Sequence, residues 1–257
     1  MAIPVPIALR EPADGTVSAV LRRALDAVLA AVGLIVAAPL LAAAAIGIRR
    51  SSPGPVFYTS QRVGRGGRPF VMYKLRTMHQ RATHGPVITG VADARVFPFG
   101  GFLRRAKLDE LPQLFNVLRG DMAIVGPRPE DVGIVERHYG ALGRATLAVR
   151  PGLTSPGSVW SYTHGEANLR GDPVAAYVSQ LLPIKLALDL GYVQRASLPY
   201  DLRIIARTLW VLTTALCGRH TFPEPPEMDA AKALLAGDGV AVANVLQERS
   251  SGIGAGA

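Results

Sequence analysis

Cysteine is nearly absent. Cys217 is the only one in 257 residues, which excludes both a disulfide framework and a cysteine-based zinc centre. Acids are scarce as well, 19 against 28 Lys and Arg, giving a formal net charge of +9. Charged residues of both signs reach only 18%, below the ~25% of an ordinary soluble domain, while apolar residues make up 49%. A disordered chain needs the opposite balance and is excluded. The few histidines (His79, His84, His138, His164 and His220) show no HExxH or other zinc-type spacing. There is no internal repeat. What remains is a basic, slightly apolar chain with room for one ordinary domain, and a membrane surface is the partner that fits it.

The apolar excess is concentrated. Ala27 to Ile48 runs 22 residues without a charge, enough at ~1.5 Å per residue to span the hydrocarbon of a bilayer. The run begins too late for a secretory signal, and Arg49-Arg50 rather than a small-residue cleavage site follows it. Arg22-Arg23 precede it, so both flanks are basic, and basic flanks stay cytoplasmic. Pro39 falls near the middle, where a missing N–H and a ring clash would bend a helix. A straight single pass with a tolerated kink fits these residues equally well.

Beyond the apolar run the charge turns strongly positive. Arg49 to Lys107 holds ten Arg and two Lys against one acid, Asp93. That segment carries +11, so the rest of the chain carries −2. Ser-Ser-Pro-Gly-Pro at 51–55 reads as a turn leaving the membrane. Val56 to Tyr58 and Phe70 to Tyr73 are β-prone, with Gly64 to Pro69 between them as a hairpin loop. Cations interleaved with aromatics over this length predict a shaped anion site rather than a merely solvated face.

Carboxylates arrive where the basic block ends. Asp109 and Glu110 follow Arg104, Arg105 and Lys107. Neighbouring helical side chains diverge by about 100°, so the two acids cannot act as a facing acid/base pair. They suit a division of labour, one attacking phosphorus or binding a metal and the other supporting it. An isolated Asp-Glu pair also occurs simply to balance a helix dipole.

The words around this pair resemble a known family. LDELPQLFNVLRGDMAIVGPRP (108–129) is similar to the signature block of the bacterial sugar transferases, the monotopic polyprenyl-phosphate phosphoglycosyl transferases. QRVG (61–64), YKLRTM (73–78), VRPGLT (149–154) and KLALDLGYVQRASLPYDL (185–202) extend the resemblance from about Leu21 to Cys217. It implies transfer of a sugar 1-phosphate from a nucleotide diphosphate sugar, with UDP expected, to polyprenyl (undecaprenyl) phosphate, using Mg²⁺, in exopolysaccharide assembly. Asp109 matches the family's nucleophile and Glu110 its dyad partner, with Mg²⁺ expected at these two acids. Lys74, Arg76, Arg104, Arg128 and Arg150 match phosphate-binding cations, and Asp189 matches a supporting acid. Gly101 stands where the family often has Arg, and TSPGS (154–158) replaces its usual TGL or TGW. The small form of the family, without a preceding multi-helix domain, is the one resembled.

The resemblance also implies an α+β, predominantly helical fold, with an N-terminal re-entrant helix bent at Pro39. The chain then divides into a re-entrant membrane helix (21–50) and a catalytic domain (51–220), while residues 1–20 and 221–257, rich in Pro, Ala and Gly, read as a flexible N-terminus and a flexible C-terminal tail with a short helix near Ala230 to Leu235. The catalytic domain is expected on the cytoplasmic face of the bacterial inner membrane. Leu202, Ile205, Leu209, Leu212 and Leu216 form an amphipathic helical stripe suited either to an interfacial helix or to core packing. Trp160 and Tyr162 suit uracil stacking or core packing. Expected partners are the sugar nucleotide, the lipid phosphate and membrane lipids, without nucleic acid; a homodimer stays open. The competing class is a non-enzymatic, membrane-tethered protein that binds anionic lipid or nucleic acid. Carboxylates set beside its positive surface count against that reading, because they weaken polyanion binding.

Overall fold

The computed structural model describes residues 16–80, 93–165 and 172–236. It is mostly helical, with four short strands. Helix α1 spans Thr16–Ser51, 36 residues with Pro39 inside, or ~54 Å at 1.5 Å per residue. Along one side Ala30, Ala37, Ala44 and Ile48 are buried, with Leu34 and Leu41 beside them. Small residues there let other helices approach closely. A Cβ on Gly47 would sit 2.3 Å from the Phe99 ring, so any larger residue at that crossing would have to displace the ring. The opposite side is apolar and exposed, with Ile35 at 74% and Val28, Val32 and Val36 near it.

Strands β1 (Phe57–Val63) and β2 (Pro69–Leu75) form the antiparallel hairpin predicted from the sequence, in register Phe57 to Leu75 through Val63 to Pro69. Helix α2 (Pro98–Arg105) leads through Lys107 into a 3₁₀ turn, Leu108–Glu110, and then α3 (Gln113–Arg119). Gly120, at φ 88°, ends α3 in the left-handed conformation that glycine adopts without strain. Strand β3 (Ala123–Val125), α4 (Val132–His138), α5 (Ala141–Thr146) and β4 (Gly152–Thr154) follow, with β3 and β4 paired in parallel. Helix α6 (Pro156–Trp160) is capped by Ser155, whose side chain accepts from the Ser158 N–H. Helix α7 (Pro173–Ala176) continues through a π turn into α8 (Leu182–Arg195). Helices α9 (Leu198–Leu216) and α10 (Met228–Ala236) complete the described chain.

The continuous stretch from α7 through α8, Pro173–Arg195, is long and apolar enough to resemble a membrane span but lies mostly inside the protein, with Leu186, Ala187, Leu188 and Tyr192 of α8 buried. Helix α8 is the spine of the core, in contact with α5, α6 and α10.

Several boundaries differ from expectation. The first helix begins at Thr16, so the end of the predicted 1–20 tail is helical; residues 1–15 and 237–257 lie outside the described residues, as does His84. The short helix expected near Ala230 to Leu235 is present as α10, but it is packed rather than part of a flexible tail, because its Met228 and Ala231 enter the α8 core. Of the predicted Leu202–Leu216 stripe, Leu202, Leu209 and Leu216 are exposed while Ile205 packs partly against the core, and the buried face of α9 is Asp201, Ile204 and Val211. Trp160 is buried and stacks on His164 at 6.5 Å between ring centroids, which makes it a packing residue.

Candidate active site

The turn carrying Asp109 and Glu110 is set by an unusual backbone. Lys107 adopts φ 56°, ψ 19°, a left-handed conformation that costs a non-glycine residue ~1 kcal/mol or more. This kink separates α2 from the 3₁₀ turn and turns both acids inward, where Asp109 is 6% and Glu110 9% exposed. Lys107 Nζ lies 5.0 Å from the Tyr162 ring centroid and 3.9 Å from Glu110 Oε1, two contacts that hold the strained residue.

The two acids have opposite surroundings. Glu110 accepts from Arg128 through both oxygens, Nη1 to Oε2 at 2.9 Å and Nη2 to Oε1 at 2.5 Å. Lys74 Nζ stands 3.5 Å from the same Oε1. Burial pushes the Glu110 carboxyl up, but Arg128, Lys74 and Lys107 outweigh it and hold Glu110 well below the usual range. Asp109 has no such partner: its Oδ1 is buried without a hydrogen bond, and among the described residues no cation lies within ion-pair distance. Burial and the neighbouring Glu110 charge push its carboxyl up against the pull of Lys74, Lys107 and Arg104. Burial in turn lowers Lys74 to about 8, despite Glu110. Arg104 donates from Nε to Thr77 Oγ1 at 2.7 Å and remains within the electrostatic reach of Asp109.

So the structure gathers Lys74, Arg104, Lys107 and Arg128 around the Asp109-Glu110 turn. Arg76 does not join them. Strand β2 ends at Leu75, and the Arg76 guanidinium turns back to donate to Ser52 O (2.6 Å), Ser52 Oγ (2.9 Å) and Pro55 O (2.5 Å). It closes the junction between α1 and β1 rather than offering itself to phosphate. Arg150 lines a cavity of about 90 Å³ with Arg22, Arg23, Arg65 and Tyr192, a cavity that neither Asp109 nor Glu110 lines.

Asp189, on α8, supports the site from behind. Its Oδ1 accepts from the Gly157 N–H at 3.0 Å, and it also holds Ser155 and the Arg128 backbone N–H. Burial raises it to about 6, with Lys185, Ser155, Gly157 and Arg128 opposing. TSPGS thus has a structural reason here. A Cβ at Gly157 would meet both Asp189 Oδ1 and Lys185 O at 2.6 Å.

Sequence reasoning missed two supports and one buried amide. Glu130, two residues past Arg128, is buried and paired to Lys185 Nζ at 2.9 Å, accepts from the Tyr177 hydroxyl, and lies 3.6 Å from Arg62. Lys107 was visible only as one more cation in the block. Gln113 is 0% exposed, with both amide atoms unpartnered. Its one sequence signal is its position four residues after Asp109.

The chemistry of this donor set also tests the expected metal. Glu110 has both oxygens taken by cations, which does not fit metal ligation. Asp109 does fit, as a buried carboxylate with an unpartnered oxygen and no ion pair. No group of three or more His, Cys, Asp or Glu able to hold a metal occurs among the described residues. A hard cation here would have few protein ligands, the arrangement Mg²⁺ favours when substrate phosphates and water complete its shell.

Comparison with known proteins agrees with the motifs. The bacterial sugar transferase profile matches residues 17–215. A UDP-glucose:undecaprenyl-phosphate glucose-1-phosphate transferase of Caulobacter vibrioides is 41% identical over 197 residues, covering 75% of this chain and 70% of its own length. A protein of the same description from Xanthomonas campestris is 39% identical over 196 residues, 71% of this chain. The match spans only 37% of that longer relative. An exopolysaccharide production protein of Rhizobium leguminosarum is 35% identical over 202 residues, 74% of this chain and 94% of its own length.

Proposed function

The chain belongs to the bacterial sugar transferase family, and on that premise we propose that it transfers a sugar 1-phosphate from a UDP-sugar to undecaprenyl phosphate, the first membrane step of exopolysaccharide assembly. The relatives' names support the donor, the acceptor and the pathway class. One observation carries the mechanism: of two adjacent buried carboxylates, Glu110 is saturated by cations and Asp109 is left with an unpartnered oxygen. A nucleophile must keep a lone pair available, and Asp109 is the acid in the cluster that does.

Asp109 attacks the sugar-linked phosphorus, forming an O–P bond while the bond to the nucleoside monophosphate breaks and that group leaves with the electron pair. An oxygen of the lipid phosphate then attacks the same phosphorus, and the pair in the Asp109–phosphorus bond returns to the carboxylate. Splitting one displacement into two lets a single anion site serve a water-soluble donor and a lipid-bound acceptor in turn. Arg104, Lys74 and Arg128 hold phosphoryl oxygens, and Glu110 fixes the last two in place. Asp109 would be the protein ligand to Mg²⁺, and the metal would supply neutralisation of pyrophosphate charge.

The same reading places the protein on one leaflet. Arg22 donates to Asp201 and Tyr192, and Arg23 donates to the Val117 and Leu118 carbonyls. At the other end Ile48 packs with Phe97 and Leu103, and Ser52 is tied to Arg76. Both basic flanks of α1 therefore reach the catalytic body, which supports a re-entrant helix bent near Pro39. The exposed apolar sides of α1 and α9 suit lipid contact on the cytoplasmic face of the inner membrane.

Intact mass spectrometry with UDP-sugar and no acceptor tests the covalent route. A mass gain of one sugar phosphate is expected, and its absence together with sequential kinetics removes the aspartyl intermediate. Asp109→Asn should lose the adduct and at least ~10²–10⁴-fold of turnover. Chelation by EDTA should abolish turnover and added Mg²⁺ restore it; undiminished turnover in excess EDTA rules the metal out.

A further inference from the structure

The cavity lined by Arg22, Arg23, Arg65 and Arg150 has no part in the chemistry described above, since neither Asp109 nor Glu110 lines it. Its cations come from three distant places in the chain: the N-terminal part of α1, the 3₁₀ turn Arg65–Gly67 between β1 and β2, and the residue two before β4. Asp26 and Asp201 also line it, so the wall carries four cations and two acids, a net charge of +2. Both acids are engaged within the protein. Asp201 accepts from Arg22 Nε at 2.9 Å and from the Tyr192 hydroxyl at 2.8 Å, and Asp26 accepts from the Ile124 N–H at 3.0 Å. Positive charge gathered around a cavity is costly unless an anion offsets it. Guanidinium forks match phosphate oxygens in both shape and charge, and phosphate is the anion this wall suits.

Size and place narrow the ligand further. Pockets for drug-sized molecules hold about 300–1,000 Å³, so a cavity of about 90 Å³ admits one phosphate group and excludes a whole sugar nucleotide. The surface beside it is apolar. Val20 and Leu21, between the lining residues Ala19 and Arg22, are exposed, and so is Leu202, next to Asp201. A phosphate group bordered by exposed apolar side chains is one attached to a lipid. Resting on the membrane seating above but not on the covalent route, we propose that this cavity binds the headgroup phosphate of an anionic membrane phospholipid, apart from both substrates. A zwitterionic headgroup suits it less, because its own cation would meet four guanidinium groups. The bound phosphate joins α1 to the hairpin turn and to the approach to β4, so occupancy stabilises the fold.

The test uses the full-length protein in an uncharged detergent, with phosphatidylglycerol, phosphatidylcholine, undecaprenyl phosphate or inorganic phosphate added in turn. Native mass spectrometry reads retained lipid, and thermal melting reads the stabilisation. Expected is one retained phosphatidylglycerol with a raised melting temperature, and little of either from phosphatidylcholine. Two variants remove the same charge from the same exposed loop, Arg65→Gln in the cavity wall and Arg68→Gln outside it. Without lipid both should melt with the parent. Arg65→Gln should hold phosphatidylglycerol about tenfold or more weakly and lose the thermal shift, while Arg68→Gln keeps both. Equal losses in the two variants overturn the proposal, because retention is then the general attraction of a basic surface for acidic lipid. No loss in either overturns it too, as does a thermal shift from inorganic phosphate without retention of phosphatidylglycerol, or Arg65-dependent retention of undecaprenyl phosphate in its place. Flotation with phosphatidylcholine vesicles checks the seating by itself. A protein that floats but retains no phosphatidylglycerol refutes this site alone, and one that does not float refutes the seating and the site together.

Discussion

Two buried carboxylates, Glu110 and Glu130, are both kept ionised by cations, yet they serve different ends. Glu110 presents its cations to a reacting centre. Glu130 spends them on cohesion, joining Lys185 of α8, the Tyr177 hydroxyl and Arg62 of β1. Burial pushes Glu130 up, but Lys185 and Arg62 more than offset it and bring it from 4.5 to about 2. A carboxyl depressed on folding is protonated more readily in the unfolded chain. The stability it contributes is present in full above pH 4.5 and drains away as pH falls toward 2. Lys185→Met leaves buried Glu130 with the more distant Arg62 as its cation and should cost ~3–5 kcal/mol at neutral pH. Thermal melts across pH should show the gap between variant and parent narrowing below pH 4.5; a gap constant with pH would place the loss in packing instead. Asp109 and Glu110 were legible as an adjacent acidic pair, but their unequal surroundings were not, because Arg128 and Lys74 reach Glu110 from distant parts of the chain.

At the scale of elements, legibility followed the length of the pattern. Helix α1 was readable from 22 uncharged residues, and the β1–β2 hairpin from two β-prone runs about a glycine-rich loop. Strands β3 and β4 were not readable, since three residues each carry no periodicity and their pairing joins Ala123 to Gly152. The α9 stripe was readable but its direction was not, because Ile204 and Val211 make a second apolar face that the core takes instead. Arg76 was misplaced because its motif also holds Lys74, while the strand stops between them. For α1 the open question is the bend. Replacing Pro39 with Ala restores an N–H and removes a ring clash, so it should favour the straight form. Thiol labelling near residues 18 and 52 in intact cells should find both shielded in the parent. The Ala variant should expose the residue 18 site to the periplasm; labelling of that site in the parent would restore a single pass.

For the molecule as a whole, the membrane segment and the body are not separable parts. Ala44 and Ile48 share a cluster with Leu75, Phe97 and Leu103, and Ala30 shares one with Met72, Leu114 and Met122. Cutting the chain after α1 would expose these clusters, so a truncated body should aggregate rather than remain as a soluble catalyst. The fastening of α1 at both ends also sets a height. With Arg22 and Arg23 fixed at one end and Ser52 at the other, the proposed re-entrant seating would give Asp109 a fixed stand-off from the lipid plane. A lipid-borne phosphate must come to that height, whereas a sugar nucleotide diffuses in from water at any angle. In bilayers of graded acyl length, transfer to the lipid should therefore peak at one thickness while adduct formation stays flat across the series. On that reading the bilayer itself gauges the transfer.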